Sequence, residues 1–302
     1  TKCGRDPPRQ RGRMHPAPPM LCGRMIYSRP YFDPAGLIVA LFNDIPVGFA
    51  HAGFGANDDE TAISYDIGTT YQLAIRSDHR DGPLARELLA QSEQYLRERD
   101  AKVIYAGGIR PLNAFYLGLY GGSELPGILA GDVLFHAACQ QSGYREIDRV
   151  QILQLDVAGF RAPITRNQRQ LRREVVCQEI PSPPIRSWWE ACTTGAFERI
   201  RFLLTRPSSS EPLADVWFWD IEPLSTAWGR PTAGMFDLHV PSDHRRKGLA
   251  TFLLSEAFER LRNRGILLIE AQTMQQNAPA LAMYKRLGFT QVDEGVIYRK
   301  DA

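Results

Sequence analysis

The stretch that decides the fold is Met235-Phe-Asp-Leu-His-Val-Pro-Ser-Asp-His-Arg-Arg-Lys-Gly-Leu-Ala250. It reads as strand, turn, basic Gly-containing loop and then helix, because Ala250, Leu253, Leu254, Ala257, Phe258 and Leu261 fall on one helical face. A loop of this shape leaves the backbone N–H groups of Arg246 to Ala250 without partners at a helix start, where the helix dipole adds to their pull on an anion. Gly248 lets the backbone approach a ligand closely, Ala250 keeps the first turn uncluttered, and Arg245, Arg246 and Lys247 add positive charge. The chemistry is that of a diphosphate cradle. A basic helix N-terminus with no ligand is the alternative that the pattern leaves open.

Working outward, the pattern predicts strand 234–240, helix 249–263, strand 266–273, helix 278–287 and strand 291–299, preceded by strands at 174–180, 198–205 and 214–221. The first half has the same order. Strands are expected at 36–43, 47–54, 71–76, 102–107 and 149–156, with a helix carrying Leu84, Ala85, Leu88, Leu89, Ser92, Tyr95 and Leu96. The two halves also share words. Ser77-Asp-His-Arg80 repeats as Ser242-Asp-His-Arg245 at a shift of 165, and Gly143-Tyr-Arg-Glu-Ile-Asp148 parallels Gly288-Phe-Thr-Gln-Val-Asp293 at a shift of 145. The first half therefore holds about 20 extra residues before its last helix, and two copies of one fold account for 302 residues.

With both motifs in view, a resemblance emerges. Arg245-x-x-Gly248-x-Ala250 resembles the acyl-CoA pyrophosphate loop of the GNAT N-acetyltransferase superfamily, and Asn277-Ala-Pro-Ala-Leu-Ala-Met-Tyr-Lys-Arg-Leu-Gly-Phe289 resembles its second signature. The layout is similar to that of tandem members whose C-terminal half does the chemistry. The resemblance implies an α/β (α+β) fold of two GNAT-like domains, each a mixed, largely antiparallel sheet flanked by helices. It implies acetyl-CoA as co-substrate and transfer of an acetyl group to an amine by direct attack in a ternary complex. A non-catalytic acyl-CoA sensor and a transferase of a longer acyl group stand as alternatives.

The same resemblance assigns roles. The backbone of Leu238, His239 and Val240 would meet the pantetheine arm and the thioester carbonyl, while Arg245, Arg246, Lys247, Gly248, Leu249, Ala250 and Thr251 would hold the pyrophosphate. Tyr284 would protonate the departing thiolate, or else is a packing aromatic. Asn277 would bridge near the strand end, or else caps the following helix. Strand alternation puts Asp237 and His239 on one face, where either could take the amine's proton or make a structural hydrogen bond.

The first half departs from this pattern. Pro83 falls where Gly248 sits and offers no N–H; Asn113 to Tyr120 keeps the seven-residue step of Asn277 to Tyr284, while the continuous helix–corner–strand alignment, the preferred one, puts Cys139 at the position of Tyr284. A degenerate domain with a structural or substrate-shaping role is expected. The extra segment Leu112-Asn-Ala-Phe-Tyr-Leu-Gly-Leu-Tyr-Gly-Gly-Ser-Glu-Leu-Pro-Gly127 reads as a lid or partner surface, or as a packed surface loop. Trp188-Trp189 and Val216-Trp-Phe-Trp219 read as core, or as a cleft lining.

Domains are expected at 31–157 (degenerate) and 174–302 (catalytic), joined by an Arg-rich linker over 158–173 and preceded by a basic, Pro-rich arm over 1–30. That arm is expected to be disordered or to bind anions, and since the chain begins at Thr1 its natural start is left open. With 44% hydrophobic and 23% charged residues the chain is ordinary for a globular protein, and its net charge of +2 gives no reason to expect nucleic acid. No apolar run is long enough for a membrane span or a secretory core. Five scattered cysteines point away from a disulfide framework or a zinc site and toward a reducing, cytoplasmic setting, with no metal expected. The acceptor, a small-molecule or peptide amine, and the oligomeric state are not specified by the sequence.

Overall fold

The computed structural model describes residues 19–80, 82–112 and 114–301. The N-terminal half contains α1 (Pro19–Cys22), a π-helical turn (Gly23–Tyr27), β1 (Leu37–Phe42), β2 (Ile45–Ala56), β3 (Ile63–Ile75), α2 (Gly82–Arg97), β4 (Val103–Ala106), β5 (Ile128–Leu129), α3 (Val133–Gln141) and β6 (Arg145–Asp156). The C-terminal half follows with α4 (Arg166–Glu174), β7 (Val176–Pro181), α5 (Trp188–Thr193), β8 (Arg199–Thr205), β9 (Ala214–Asp220), α6 (Glu222–Trp228), β10 (Thr232–His239), α7 (Leu249–Asn263), β11 (Leu268–Met274), α8 (Ala278–Leu287) and β12 (Thr290–Asp301). The sequence periodicity anticipates nearly all the strands and the long helices α2, α7 and α8. The short α5 and α6, barely two turns each, carry too little periodicity to be read.

The halves do not keep separate sheets. One 12-stranded sheet runs β1-β2-β3-β4-β12-β6-β11-β10-β9-β8-β7, with β5 paired on β12. The last strand of each half has changed places: β12 pairs antiparallel with β4 of the first half, and β6 pairs antiparallel with β11 of the second. β6 and β12 then pair with each other along most of their length. Within each half, a parallel pair joined by a crossover helix is retained, β3/β4 through α2 and β10/β11 through α7. Each crossover helix buries its apolar stripe on its own half: Leu88, Leu89 and Leu96 against β2 and β3, and Leu253, Leu254, Ala257 and Phe258 against β8 and β9.

Three stretches differ from expectation. The part of the basic arm that is described, 19–30, is packed rather than loose: Met25 and Ile26 are buried, and Arg24 Nη2 donates to the Ala196 carbonyl at 3.0 Å; residues 1–18 lie outside the described residues. The Arg-rich linker contains an amphipathic helix, α4, which buries Leu171 while its arginines stay in water. The aromatic stretch 114–120 is neither lid nor surface loop. Phe115, Tyr116 and Leu119 are each no more than 2% exposed, and the segment forms a core between the halves with Met25, Ile26, Tyr71 and Trp189.

Candidate active site

β10 and β11 are laddered only from Thr232↔Leu268 to Met235↔Ala271. Both strands continue, to His239 and Met274, without pairing to each other, so the sheet parts there. On its other side β10 carries a bulge: Phe236 pairs with Trp217 and His239 with Asp215, one residue fewer on β9, and Asp237 takes a left-handed φ of +50°. The bulge overturns the expected alternation. Phe236 and His239, not Asp237 and His239, share a face, because their partners Trp217 and Asp215 are two residues apart. It also takes the backbone of Asp237 and Leu238 out of the ladder with β9.

The loop from the parted strand to α7 is built as the sequence suggests. Ser242–His244 make a 3-10 turn, Arg246 and Gly248 are left-handed at φ +63° and +81°, and α7 begins at Leu249 with no side-chain cap. A side chain at position 248 would overlap the Asn167 amide. α4 takes the loop's carbonyls: Asn167 Nδ2 donates to Lys247 O at 3.0 Å and Gln168 Nε2 to Gly248 O at 3.3 Å. The first-turn N–H groups that follow have no helical acceptor. Arg245 is used internally, its Nε donating to Val240 O at 3.0 Å, whereas Arg246 and Lys247 are exposed.

α8 begins with Asn277, whose Oδ1 accepts the Ala280 N–H at 3.2 Å, so the capping geometry is present. It ends at Gly288 in the left-handed region. Between them Tyr284 is buried, its ring 5.1 Å from that of Phe289. Burial, with the Glu124 carboxylate nearby, holds its hydroxyl above the usual phenol range, so it is protonated at neutral pH.

Asp237 is fully engaged. Both its oxygens accept from Arg110 of the first half, and Oδ2 also accepts from Arg186 at 3.3 Å. Arg186 and Arg199 in turn pair with the buried Glu190. His239 is exposed. This ion-pair network edges a cavity of about 60 Å³ to which both halves contribute: Glu60, Arg110 and Glu124 from the first, Glu190, Trp219 and Phe236 from the second. Trp189 and Trp219 line it, so part of the tryptophan cluster is a cleft lining. Glu124 and Arg110 were not singled out from the sequence. The available signal was one acid, Glu124, in an otherwise apolar and Gly-rich run.

A mixed sheet parted at a parallel pair, an N–H-lined loop at the start of the crossover helix and a buried tyrosine on the next helix make up the candidate site. The chain belongs to the acetyltransferase (GNAT) family, whose model matches residues 11–121 and 177–289, once in each half. Among solved structures, a tandem GNAT protein from the clavulanic acid biosynthesis pathway superposes with TM-score 0.59 at 15% identity, covering 89% of this chain and 85% of that one. A GCN5-related N-acetyltransferase from Sphaerobacter thermophilus gives TM-score 0.57 at 15% identity, over 86% and 78% of the two chains. At such identities the likeness is one of fold. By sequence, 59 residues are 34% identical to the [ribosomal protein bS18]-alanine N-acetyltransferase of Salmonella typhimurium, spanning 20% of this chain and 40% of that relative. No helix among the described residues is long and apolar enough to cross a membrane.

Proposed function

We propose that the C-terminal half, residues 174–302 completed by β6, is an acetyl-CoA-dependent N-acetyltransferase acting by direct attack in a ternary complex. The observation that carries this reading is that the parted end of β10, the start of α7 behind Gly248 and the buried Tyr284 meet in one place: Met235, Leu249 and Tyr284 share a cluster against which Leu238, Val240 and Ala250 pack. There the N–H groups of Arg246 to Thr251, with the exposed charges of Arg246 and Lys247, suit the pyrophosphate. The backbone of Leu238, His239 and Val240 suits the pantetheine arm, and an N–H freed by the bulge suits the thioester oxygen as negative charge develops on it. The amine nitrogen bonds to the acetyl carbon, the carbon–sulfur bond breaks, Tyr284 gives its proton to the leaving sulfur, and the proton the nitrogen sheds as the amide forms restores Tyr284. The relatives' names support an amine acceptor; a ribosomal protein belongs to those relatives, and the short match does not extend it here. The free state of the four described cysteines suits a reducing, cytoplasmic setting.

Calorimetric titration with acetyl-CoA tests the reading, beside a Gly248→Glu variant checked for native folding by circular dichroism. The variant puts a carboxylate beside the phosphates at a left-handed position. One site in the wild type and none in the variant is expected. A second site surviving the substitution would give the first half its own cofactor site, and no binding to the wild type would overturn the proposal.

A further inference from the structure

Direct attack needs a group to take the acceptor's proton, and the two sequence candidates do not face the cavity free: Asp237 holds two guanidinium groups and His239 is exposed beside β9. Glu124 differs from both. It lines the cavity, stands close enough to Tyr284 to raise its hydroxyl's pKa, and its carboxylate makes no hydrogen bond or ion pair among the described residues. Arg110 attracts this carboxylate across the cavity without bonding to it, which leaves it open to a proton or an incoming cation.

The structure also invests heavily in the placement of this residue. Ser123 N–H donates to Glu270 Oε1 at 2.8 Å, Gln272 Nε2 donates to the Glu124 carbonyl at 2.8 Å, and Trp219 Nε1 donates to the Ser123 carbonyl at 3.0 Å. Three side chains from β9 and β11 of the second half thus grip two successive residues of the first. Glu270, wholly buried, is itself steadied by Gln154 Nε2 at 3.1 Å, from the exchanged strand β6. Gly122 at φ +147° lies so close to the Glu270 carboxylate that any Cβ would overlap it, so the chain can reach this anchor only with glycine there.

We propose that Glu124, contributed by the degenerate N-terminal half, is the catalytic base of the C-terminal half's site, and that Glu270 is the residue that positions it. The inference rests on the acetyltransferase reading above. A primary ammonium entering the cavity gives one proton to the Glu124 carboxylate; the free amine then attacks, and Glu124 releases that proton to solvent after the product leaves. Burial, opposed by Arg110 and reinforced by Asp237, pushes the Glu124 carboxyl up to about 7, in the range that suits a base at neutral pH. The other charged groups lining the cavity are Glu60, Arg186, Glu190 and Arg199, and Tyr284, outside the lining, lies within electrostatic reach of Glu124. Because the deprotonated form is the active one, the rate should rise with pH through about 7.

The test follows thiol release from acetyl-CoA against pH with two probes: 1,4-diaminobutane, protonated at neutral pH, and hydroxylamine, largely unprotonated there. Glu124→Gln is expected to bind acetyl-CoA within about threefold of wild type, to lose about 10²–10³-fold in kcat/KM on the diamine together with the acidic limb, and to lose far less on hydroxylamine. Glu270→Gln is expected to keep the limb while lowering kcat about tenfold at unchanged KM for acetyl-CoA, as misplacement of the base should. A Glu124→Gln enzyme with wild-type turnover and an unchanged limb overturns this proposal alone. A wild type that binds no acetyl-CoA, or binds it and acetylates neither probe, overturns the acetyltransferase reading beneath it.

Discussion

The two halves begin from the same plan and end in opposite states. In each, a parallel pair is laddered over four residue pairs, Ile67↔Val103 to Thr70↔Ala106 in the first and Thr232↔Leu268 to Met235↔Ala271 in the second. Beyond that point the second half stays parted. The first half is plugged by its own chain: Gly107 N–H donates to Thr70 O at 2.8 Å, and Phe115 packs edge-on against Tyr71 at 5.2 Å. Where the second half has Gly248 before its crossover helix, the first has Pro83 within it, and where the second has Tyr284, the first buries Cys139 in the core. The cavities differ likewise. The first half's groove between α1, β1, β2 and β3, about 540 Å³, is lined mainly by apolar side chains such as Ile26, Val47 and Ile75, whereas the inter-half cavity is edged by carboxylates and guanidinium groups. The difference teaches that a duplicated fold can close one cleft and turn the closing segment to use as a wall of the other.

That comparison can be broken most sharply at the plug. Phe115→Ala removes a ring that contacts Tyr31, Phe32, His51 and Tyr71 and should lower unfolding free energy by about 3–5 kcal/mol, measured by denaturant titration. A loss under about 1 kcal/mol would mean that the segment is not the core that joins the halves. At the second half's counterpart to Cys139, Tyr284→Phe should leave acetyl-CoA binding within a few-fold and cut turnover by about 10²-fold; undiminished turnover would remove Tyr284 as the acid. The smallest effect is expected from Pro83→Gly. It restores a donor to the first turn of α2 but leaves the plug in place, so calorimetry should still count one acetyl-CoA site; a second site would show that the proline, rather than the plug, silences that half.

The family relation was legible in few residues. Gly248, the basic triplet before it and the Asn277–Phe289 helix carry local geometry, and local geometry is what a sequence states most directly: a glycine for a left-handed turn, an asparagine for a cap, a 3.6-residue stripe for a helix. The base candidate was not legible in the same way. Glu124 and Asp237 are both acids beside glycine-rich or bulged backbone, and only their neighbours separate them: two arginines on one, none bonded to the other.

What the sequence determined by itself was the class of the long helices and most strands, and the duplication, since periodicity and turn chemistry act over a few residues and survive in both copies. What only the tertiary structure decided was which copy of the last strand goes where. Arg145–Asp156 and Thr290–Asp301 are equally long and similarly patterned, so either could lie beside β4 or β11, and the choice falls to side chains far apart in the chain. The bulge at Asp237, the burial of residues 114–120 and the grip of Glu270, Gln272 and Trp219 on the residues around Glu124 belong to the same order of information. The last of these spans 96 to 148 residues of chain. No local pattern encodes such contacts, because their free energy exists only once both partners are in place.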